Sequence, residues 1–586
     1  MLLGMLGVVS WFAPPLAGAW ACQKFLTKEN GLRAGIKQVL LWLFWVNTAA
    51  FVVTYYLFQY RAGIWQSLCT LPSFALKYAA VGVAVTGASL AVLAVYPRLT
   101  GRLPDLPALP ARARLPLCIA VCAGFWIMHF PRIFEENLWS DEAFSVLISR
   151  ESFWKMLVTT GGSDMHPPLY PACNILVNRL TGGAVWAYHL LPLLLYGATL
   201  VLAIVWLRRH YGTVACLVFA TMLSLLPQGV RYAVEIRMYA LAALCVCMSY
   251  AFLHNILERG RRSDFFWFAF FSLGAAFSHY YALVTVAAYY LVLLVLAMAG
   301  RLRWKPVLLT CAATVVVYLP WLIVLIATFV RVSGASDFWM VDIPLFRQCL
   351  EYIFTQEPFW AGGLFLGLFA LLVTLALARG ISLRAAEGKK RFAFSNQAIW
   401  ALAGLLAMAL TIFAGQLISR LFHPMFITRY LYPASVALWM LMAALLGQLP
   451  FRRLAGAALV ALLLVQQIPV FSALCREEQA RNTAMLETLQ QVQPAEDVVI
   501  VTNGVSLNHT MLSYYYPDNA HVYLDPELTL ELDEDKSYML LLVEPITQEQ
   551  LQWLDSQGLA CDGEPYEGWI ATEPAYAYTL RPAGQE

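Results

Sequence analysis

The sequence predicts a polytopic α-helical membrane protein that ends in a small soluble α/β domain. Three observations carry this. Hydrophobic residues make up 60% of the 586 and charged residues 13%, with a mean hydropathy of +0.64, a balance that water-soluble globular chains of this length do not show. Mostly apolar stretches of about 20 residues, enough to cross roughly 30 Å of hydrocarbon, recur to about residue 474 and number about fourteen. Beyond Cys475 the hydropathy collapses, and about 20 Asp and Glu face 4 Lys and Arg.

Lysine and arginine orient the helices, because cytoplasmic loops are enriched in them. With Met1 outside, every second loop is basic: Lys24 to Lys37, Arg98 to Arg114, Arg208/Arg209, Arg259 to Arg262, Arg301 to Lys305, Arg379 to Arg391 and Arg452/Arg453. Of 16 acids before residue 475, 11 then fall outside, the exceptions being Glu29, Asp105, Glu258, Asp264 and Glu387. The working face is therefore expected to be extracytoplasmic, and the C-terminus with it. The net charge of +3 comes with no basic patch interleaved with aromatics, so a nucleic-acid partner is not expected. Twelve scattered cysteines read as small apolar packing residues. Met1 to Phe25 lacks a basic start and reads as a membrane helix rather than a signal peptide.

Composition divides the chain into four parts. Residues 1–97 hold three helices. Residues 98–114, with Pro104, Pro107 and Pro110, form a cytoplasmic linker in which proline bars regular helix. Residues 115–474 form a membrane core of about eleven helices, each needing about 20 residues, with a long first outer loop at 132–183. Residues 475–586 alternate short apolar strands (Val498 to Thr502, His521 to Leu524, Tyr538 to Val543, Ala575 to Leu580) with helical stretches (Ser506 to Tyr516, Thr547 to Gln557). The Asn503-Gly504 turn lacks a nucleotide-site fingerprint, and a docking or acceptor-selecting role is expected for this domain.

Polar clusters sit at predicted outer helix ends. Asp141 and Glu142 follow Trp139-Ser140 in the long loop, and they point different ways on a helix or strand, so one can face a substrate while its neighbour binds backbone or a cation. They also suit a helix cap and an acidic first turn. In the same loop Asp164 and His166 precede Pro167-Pro168-Leu169-Tyr170, where the prolines either stiffen an extended segment or start a helix. Arg231, Glu235, Arg237 and Tyr239 offer two guanidinium forks for a phosphate, with Glu235 orienting one, or else an interfacial ion pair. His279 and Tyr280 fall near the outer turn of the apolar run from Phe265 to Met298. Arg429 and Tyr430 open a late helix, where a cation on the outer face implies an anionic partner.

Outer carboxylates, several arginines and no nucleotide-binding loop suit a substrate already in the bilayer and already phosphorylated, such as a polyprenyl-phosphate sugar. Transfer needs a base for the acceptor hydroxyl and positive charge for the departing phosphate. The order W-x-D-E, D-x-H-P-P-L-Y, E-x-R-x-Y, H-Y-Y and a late R-Y, spanning about residues 115 to 450, resembles bacterial members of glycosyltransferase family 39. These belong to the GT-C superfamily and are relatives of protein O-mannosyltransferases and lipid A aminoarabinose transferases. The resemblance implies a GT-C membrane core, a polyprenyl-phosphate-linked sugar donor, inversion at the anomeric carbon, Asp141 as catalytic acid residue with Glu142 as companion, and an envelope acceptor that is a lipid, a polymer or a protein. His166 stands where some relatives carry Lys beside the lipid phosphate, and Arg237 and Arg429 are implied as further phosphate contacts. A divalent cation near Asp141 stays open. The rival class is a multi-helix transporter or lipid flippase, which places ionisable groups near the bilayer midplane and shows internal repeats; here the acids gather on one face and no repeat is visible.

Overall fold

The computed structural model describes Phe44, Thr48 and residues 105–586 apart from 163–165, 334–342, 355–358, 387–388, 423, 505–508, 534, 572 and 584–586. The three expected N-terminal helices apart from Phe44 and Thr48, residues 98–104 of the linker, and Asp164 lie outside the described residues; the end of the linker, expected to be non-helical, enters the helix Ala111–His129. The chain divides into two compact units: Met1–Phe125, Ala198–Gly229 and Ala242–Gln466 form the first, and Trp126–Gly197, Val230–Leu241 and Gln467–Glu586 form the second.

Among the described residues eight helices are long and apolar enough to cross a membrane: Ala111–Phe134, Val185–Leu225, Tyr239–Glu258, Tyr280–Met298, Trp304–Arg331, Asn396–Leu421, Thr428–Leu446 and Arg452–Gln491. Val185–Leu225 has 41 residues, about 60 Å if straight and twice the hydrocarbon thickness. It breaks at Gly212, whose φ of 90° only glycine adopts freely. The apolar run from Phe265 to Met298 divides as Arg262–Ser278 and Tyr280–Met298, with His279 extended between them at φ −157°.

The first unit holds the membrane helices together through paired aromatics. Tyr250 and Trp400 stack at 4.4 Å between centroids. The Tyr250 hydroxyl donates to the Trp400 carbonyl at 2.7 Å, and the Trp400 indole donates to the Tyr250 carbonyl at 3.0 Å. Tyr and Trp thus bury large apolar rings while satisfying their own donors. This unit also carries a two-stranded antiparallel hairpin, β1 (Ile381–Ala386) and β2 (Lys389–Phe394).

The second unit combines the long loop with the acidic domain. Its sheet comprises β3 (Val498–Thr502), β4 (His521–Tyr523), β5 (Ser537–Leu542), β6 (Leu559–Cys561), β7 (Tyr566–Ile570) and β8 (Glu573–Pro582). The order is β4-β3-β5-β8-β6, with β7 also on β8. β3 is parallel to β4 and β5, and β8 is antiparallel to β5, β6 and β7. The four expected strands are present. β6 and β7 are not among the expected strands: Leu559–Cys561 is too short to stand out as an apolar run, and Tyr566–Ile570 is interrupted by Glu567 and Gly568. That glycine is required, since a Cβ there would lie 2.2 Å from the Thr488 hydroxyl. The last of the eight membrane-length helices runs unbroken from Arg452 to Gln491, past the point near residue 475 where hydropathy falls.

Within the loop, Ser140–Ser149, Phe153–Gly162 and Leu169–Thr181 are helical. Asp141 and Glu142 occupy the first turn of Ser140–Ser149, where carboxylates complement the helix dipole. Pro167-Pro168 starts a helix, with Pro168 at its N-cap and left-handed Gly182 at its C-cap.

One apolar core joins these pieces. Leu138, Ala143, Val146, Tyr188 and Ile236 share a cluster with Ile500, Met511, Leu512, Leu541, Ala575 and Ala577. The buried stripe of the Ser140–Ser149 helix therefore packs directly against the C-terminal α/β layer.

Candidate functional site

The two adjacent acids of the long loop do different things. The Glu142 carboxyl is buried, 6% exposed, and its Oε1 accepts the Ile236 N–H at 2.8 Å. Burial, and then the charge of neighbouring Glu235, push it well above the usual carboxylate range. Asp141, one residue earlier, keeps 29% of its side chain accessible.

Arg237 reaches Asp141 from a segment 96 residues away. Its side chain is 6% exposed, with Nη2 3.7 Å from the Asp141 Oδ2. Nη1 donates to the Asp141 carbonyl and to the Ser145 hydroxyl, each at 3.2 Å. Nη2 also lies 3.3 Å from the His166 Nε2. The planar fork is held at four points, a geometry that an ammonium cannot reproduce.

A small cleft, partly open to solvent, adjoins this group; His166, Tyr170, Ser145 and Arg237 supply its polar lining, and Phe144, Ile148 and Pro171 part of its apolar wall. Tyr170 is 2% exposed. Its hydroxyl has no hydrogen-bond partner among the described residues, and burial, then Glu142, raise its pKa, so it stays a neutral donor beside the cleft. Arg231 lies over Trp139, 5.6 Å from the ring centroid. Its Nε donates to the Glu235 Oε2 at 2.7 Å, with the Arg231 side chain 54% exposed. Tyr239 packs on Tyr232 at 4.5 Å between centroids.

The structure thus brings together Asp141, Glu142, His166, Tyr170, Arg231, Glu235, Arg237 and Tyr239 within one unit. His279, Tyr280, Arg429 and Tyr430 belong to the other. There the His279 side chain caps the Tyr280–Met298 helix by accepting the Tyr281 N–H at 3.1 Å, and its ring contacts Tyr430 at 4.9 Å between centroids. Tyr430 in turn stacks on Tyr281. The Trp321 indole donates to the Tyr280 hydroxyl at 3.3 Å. Arg429 sits in the 3-10 turn Thr428–Leu431 before the Tyr432–Leu446 helix.

A second buried cluster had no motif to announce it. Arg132 forms a bidentate pair with Glu478, at 2.6 and 2.7 Å, and donates to the Val230 carbonyl at 2.6 Å. Beside it, burial and then Glu478 raise Glu135 to about 7, against the opposing pull of Arg132 and Arg481.

Among the described residues no group of three or more His, Cys, Asp and Glu side chains could hold a metal ion. Asp141 has a guanidinium beside it, and the Glu142 carboxyl is taken up by a backbone N–H. As placed, these two carboxyls do not fit a divalent cation.

Comparison with known proteins gives the fold a context. Residues 165–324 match the family described as dolichyl-phosphate-mannose-protein mannosyltransferase. The crystal structure of ArnT from Cupriavidus metallidurans in the apo state is similar at TM-score 0.55 and 14% identity, covering 81% of this chain and all of that one. The fold is of the GT-C type. A second structure of ArnT, bound to undecaprenyl phosphate, covers the same share at TM-score 0.48 and 14% identity. No curated protein sequence matches the chain. In GT-C terms, the family match includes His166, Tyr170 and Arg237, and Asp141 lies N-terminal to it.

Proposed function

We propose that the protein is an integral membrane glycosyltransferase that moves a sugar from a polyprenyl-phosphate donor to a hydroxyl of an envelope acceptor, a lipid, polymer or protein. Transfer takes place at the extracytoplasmic face, with inversion, and Asp141 is the general base. One observation carries the reading: an accessible carboxylate, a buried guanidinium and an imidazole converge from residues 141, 237 and 166. The donor class rests on the family description, which names a dolichyl-phosphate sugar. The face rests on the alternation of basic loops.

In the reaction the acceptor oxygen attacks the anomeric carbon and its proton passes to the Asp141 carboxylate. The bond from that carbon to the phosphate oxygen breaks, and its electron pair leaves with the lipid phosphate. Charge accumulates on the phosphate oxygens, facing Arg237 and His166, with the Tyr170 hydroxyl as a further donor. Donors fixed before the reaction cost little reorganisation when charge develops. Glu142, buried and held to the Ile236 N–H, orients the turn and takes no proton from substrate.

The test is Asp141→Asn in a strain lacking the chromosomal copy, with mass spectrometry of membrane lipids and envelope glycans. Product formation should fall by roughly 2 to 4 powers of ten, while the purified variant still binds undecaprenyl phosphate. Product at the normal rate would remove Asp141 from the role.

A further inference from the structure

The turn that presents Asp141 is anchored from the far end of the chain. Residues 136–138 form no regular ladder, so their backbone groups need partners elsewhere. Among the described residues these partners come from beyond residue 481. The Asn482 Oδ1 accepts the N–H groups of Glu136 and Asn137, at 2.8 and 3.0 Å. The Tyr515 hydroxyl accepts the Leu138 N–H at 2.7 Å and donates to the Leu138 carbonyl at 3.1 Å. The Asn137 amide donates to the Ala571 carbonyl at 2.7 Å, an acceptor shared with the Trp569 indole at 2.8 Å.

Ala571 is itself unusual. It is buried and has φ 56°, a left-handed conformation that costs energy for any residue with a Cβ and persists only where its surroundings enforce it. Here that conformation accompanies a carbonyl aimed at Asn137. Trp139, the next residue but one, is the N-cap of the Ser140–Ser149 helix, and Asp141 is in its first turn.

We infer that Asn482 and Tyr515 are positioning residues for Asp141, and that the acidic C-terminal domain is a built-in part of the catalytic centre. Its long helix and sheet set the height and direction of the 136–138 segment, and through it the carboxylate of residue 141. Misplacing a reacting group by about 1 Å costs up to a hundredfold in rate, so loss of one anchor is expected to cost about tenfold. This inference rests on the reading of Asp141 as the base.

The chemistry of each anchor gives a test that general loss of packing would not pass. Asn482 uses only its carbonyl oxygen on the loop, so Asn482→Asp keeps both acceptor contacts and Asn482→Ala loses them. In the complemented deletion strain, initial product accumulation per folded protein should drop about tenfold for Asn482→Ala and Tyr515→Phe and stay within about threefold for Asn482→Asp. Binding of undecaprenyl phosphate to each purified variant, read by thermal shift, should be unchanged. In an Asp141→Asn background Tyr515→Phe should alter the residual rate by less than about twofold, because residues acting through one group are not additive.

Normal product from Asn482→Ala, equal loss in Asn482→Asp and Asn482→Ala, or the same tenfold loss from Tyr515→Phe in both backgrounds would overturn the inference. A normal rate in Asp141→Asn alone would instead sink the proposed function.

Discussion

Replacing Arg237 by lysine keeps the positive charge and removes the fork. The wild-type guanidinium meets the Asp141 carbonyl and Ser145 with one nitrogen and faces Asp141 Oδ2 and His166 with the other; an ammonium has its donors on one atom and cannot span all of these groups. At 3.7 Å and an effective dielectric of about 20, the attraction to the Asp141 carboxylate is about 4 kcal/mol. Desolvating a guanidinium this deeply buried offsets most of it, which leaves a net stability change of about 1 kcal/mol. The larger effect falls on the reaction. Loss of one oriented donor to the developing phosphate charge is worth about 3 kcal/mol, or roughly a hundredfold in rate. Arg237→Lys should therefore slow product accumulation in the complemented strain about a hundredfold while its melting temperature in detergent shifts by only a few degrees. Arg231→Ala is the internal control. That side chain is half exposed and reaches the buried Glu235 rather than Asp141, so its removal should lower the melting temperature by leaving a buried carboxylate unpaired, while product per folded protein changes by about threefold or less. Arg237→Lys at the wild-type rate, or Arg231→Ala as damaging as Arg237→Lys, would refute the assignment.

Glu142→Gln should preserve the hydrogen bond from Ile236 and the fold. Because burial raises the native pKa of Glu142, the proton it keeps stabilises the fold fully below about pH 4.5, and that contribution is lost as pH rises. The glutamine variant should thus melt above wild type at pH 8 and match it at pH 4.5; equal pH dependence would contradict the burial argument. Glu135 obeys the same sign with a defined window. Its rise from 4.5 to about 7 corresponds to about 3 kcal/mol lost between those pH values, so Glu135→Gln should flatten that part of the stability profile, and an unaltered slope would disprove it. Prolonged chelation should leave transfer unchanged, since the described donors beside Asp141 suit no divalent ion; activity restored only by added metal would show otherwise.

What was legible in the sequence follows from what is local. Hydropathy gave membrane helices, and short apolar runs between helical stretches gave β3, β4, β5 and β8. Trp139-Ser140-Asp141-Glu142 and His166-Pro167-Pro168-Leu169-Tyr170 pointed to the loop where the cleft lies, and the cluster of Arg231, Glu235 and Arg237 implied that Glu235 orients one arginine without saying that it is Arg231. A division of labour between Asp141 and Glu142, one carboxyl toward substrate and its neighbour toward backbone or a cation, was legible; the backbone partner, the N–H of Ile236, was not, because it lies 94 residues away. Nor were the Arg132–Glu478 pair and the Asn482 and Tyr515 anchors, whose partners lie more than 340 residues apart. Arginine, asparagine and tyrosine at such positions look like ordinary surface residues until the chain is folded.

The shared core of the loop and the C-terminal sheet has a consequence for biosynthesis. Ala143 and Val146 find their packing partners in Leu541, Ala575 and Ala577, which leave the ribosome more than 390 residues later. Pairings this distant close slowly. The turn that carries Asp141, the base in the proposed reading, therefore gains its full packing only once the residues of β5 and β8 have been made.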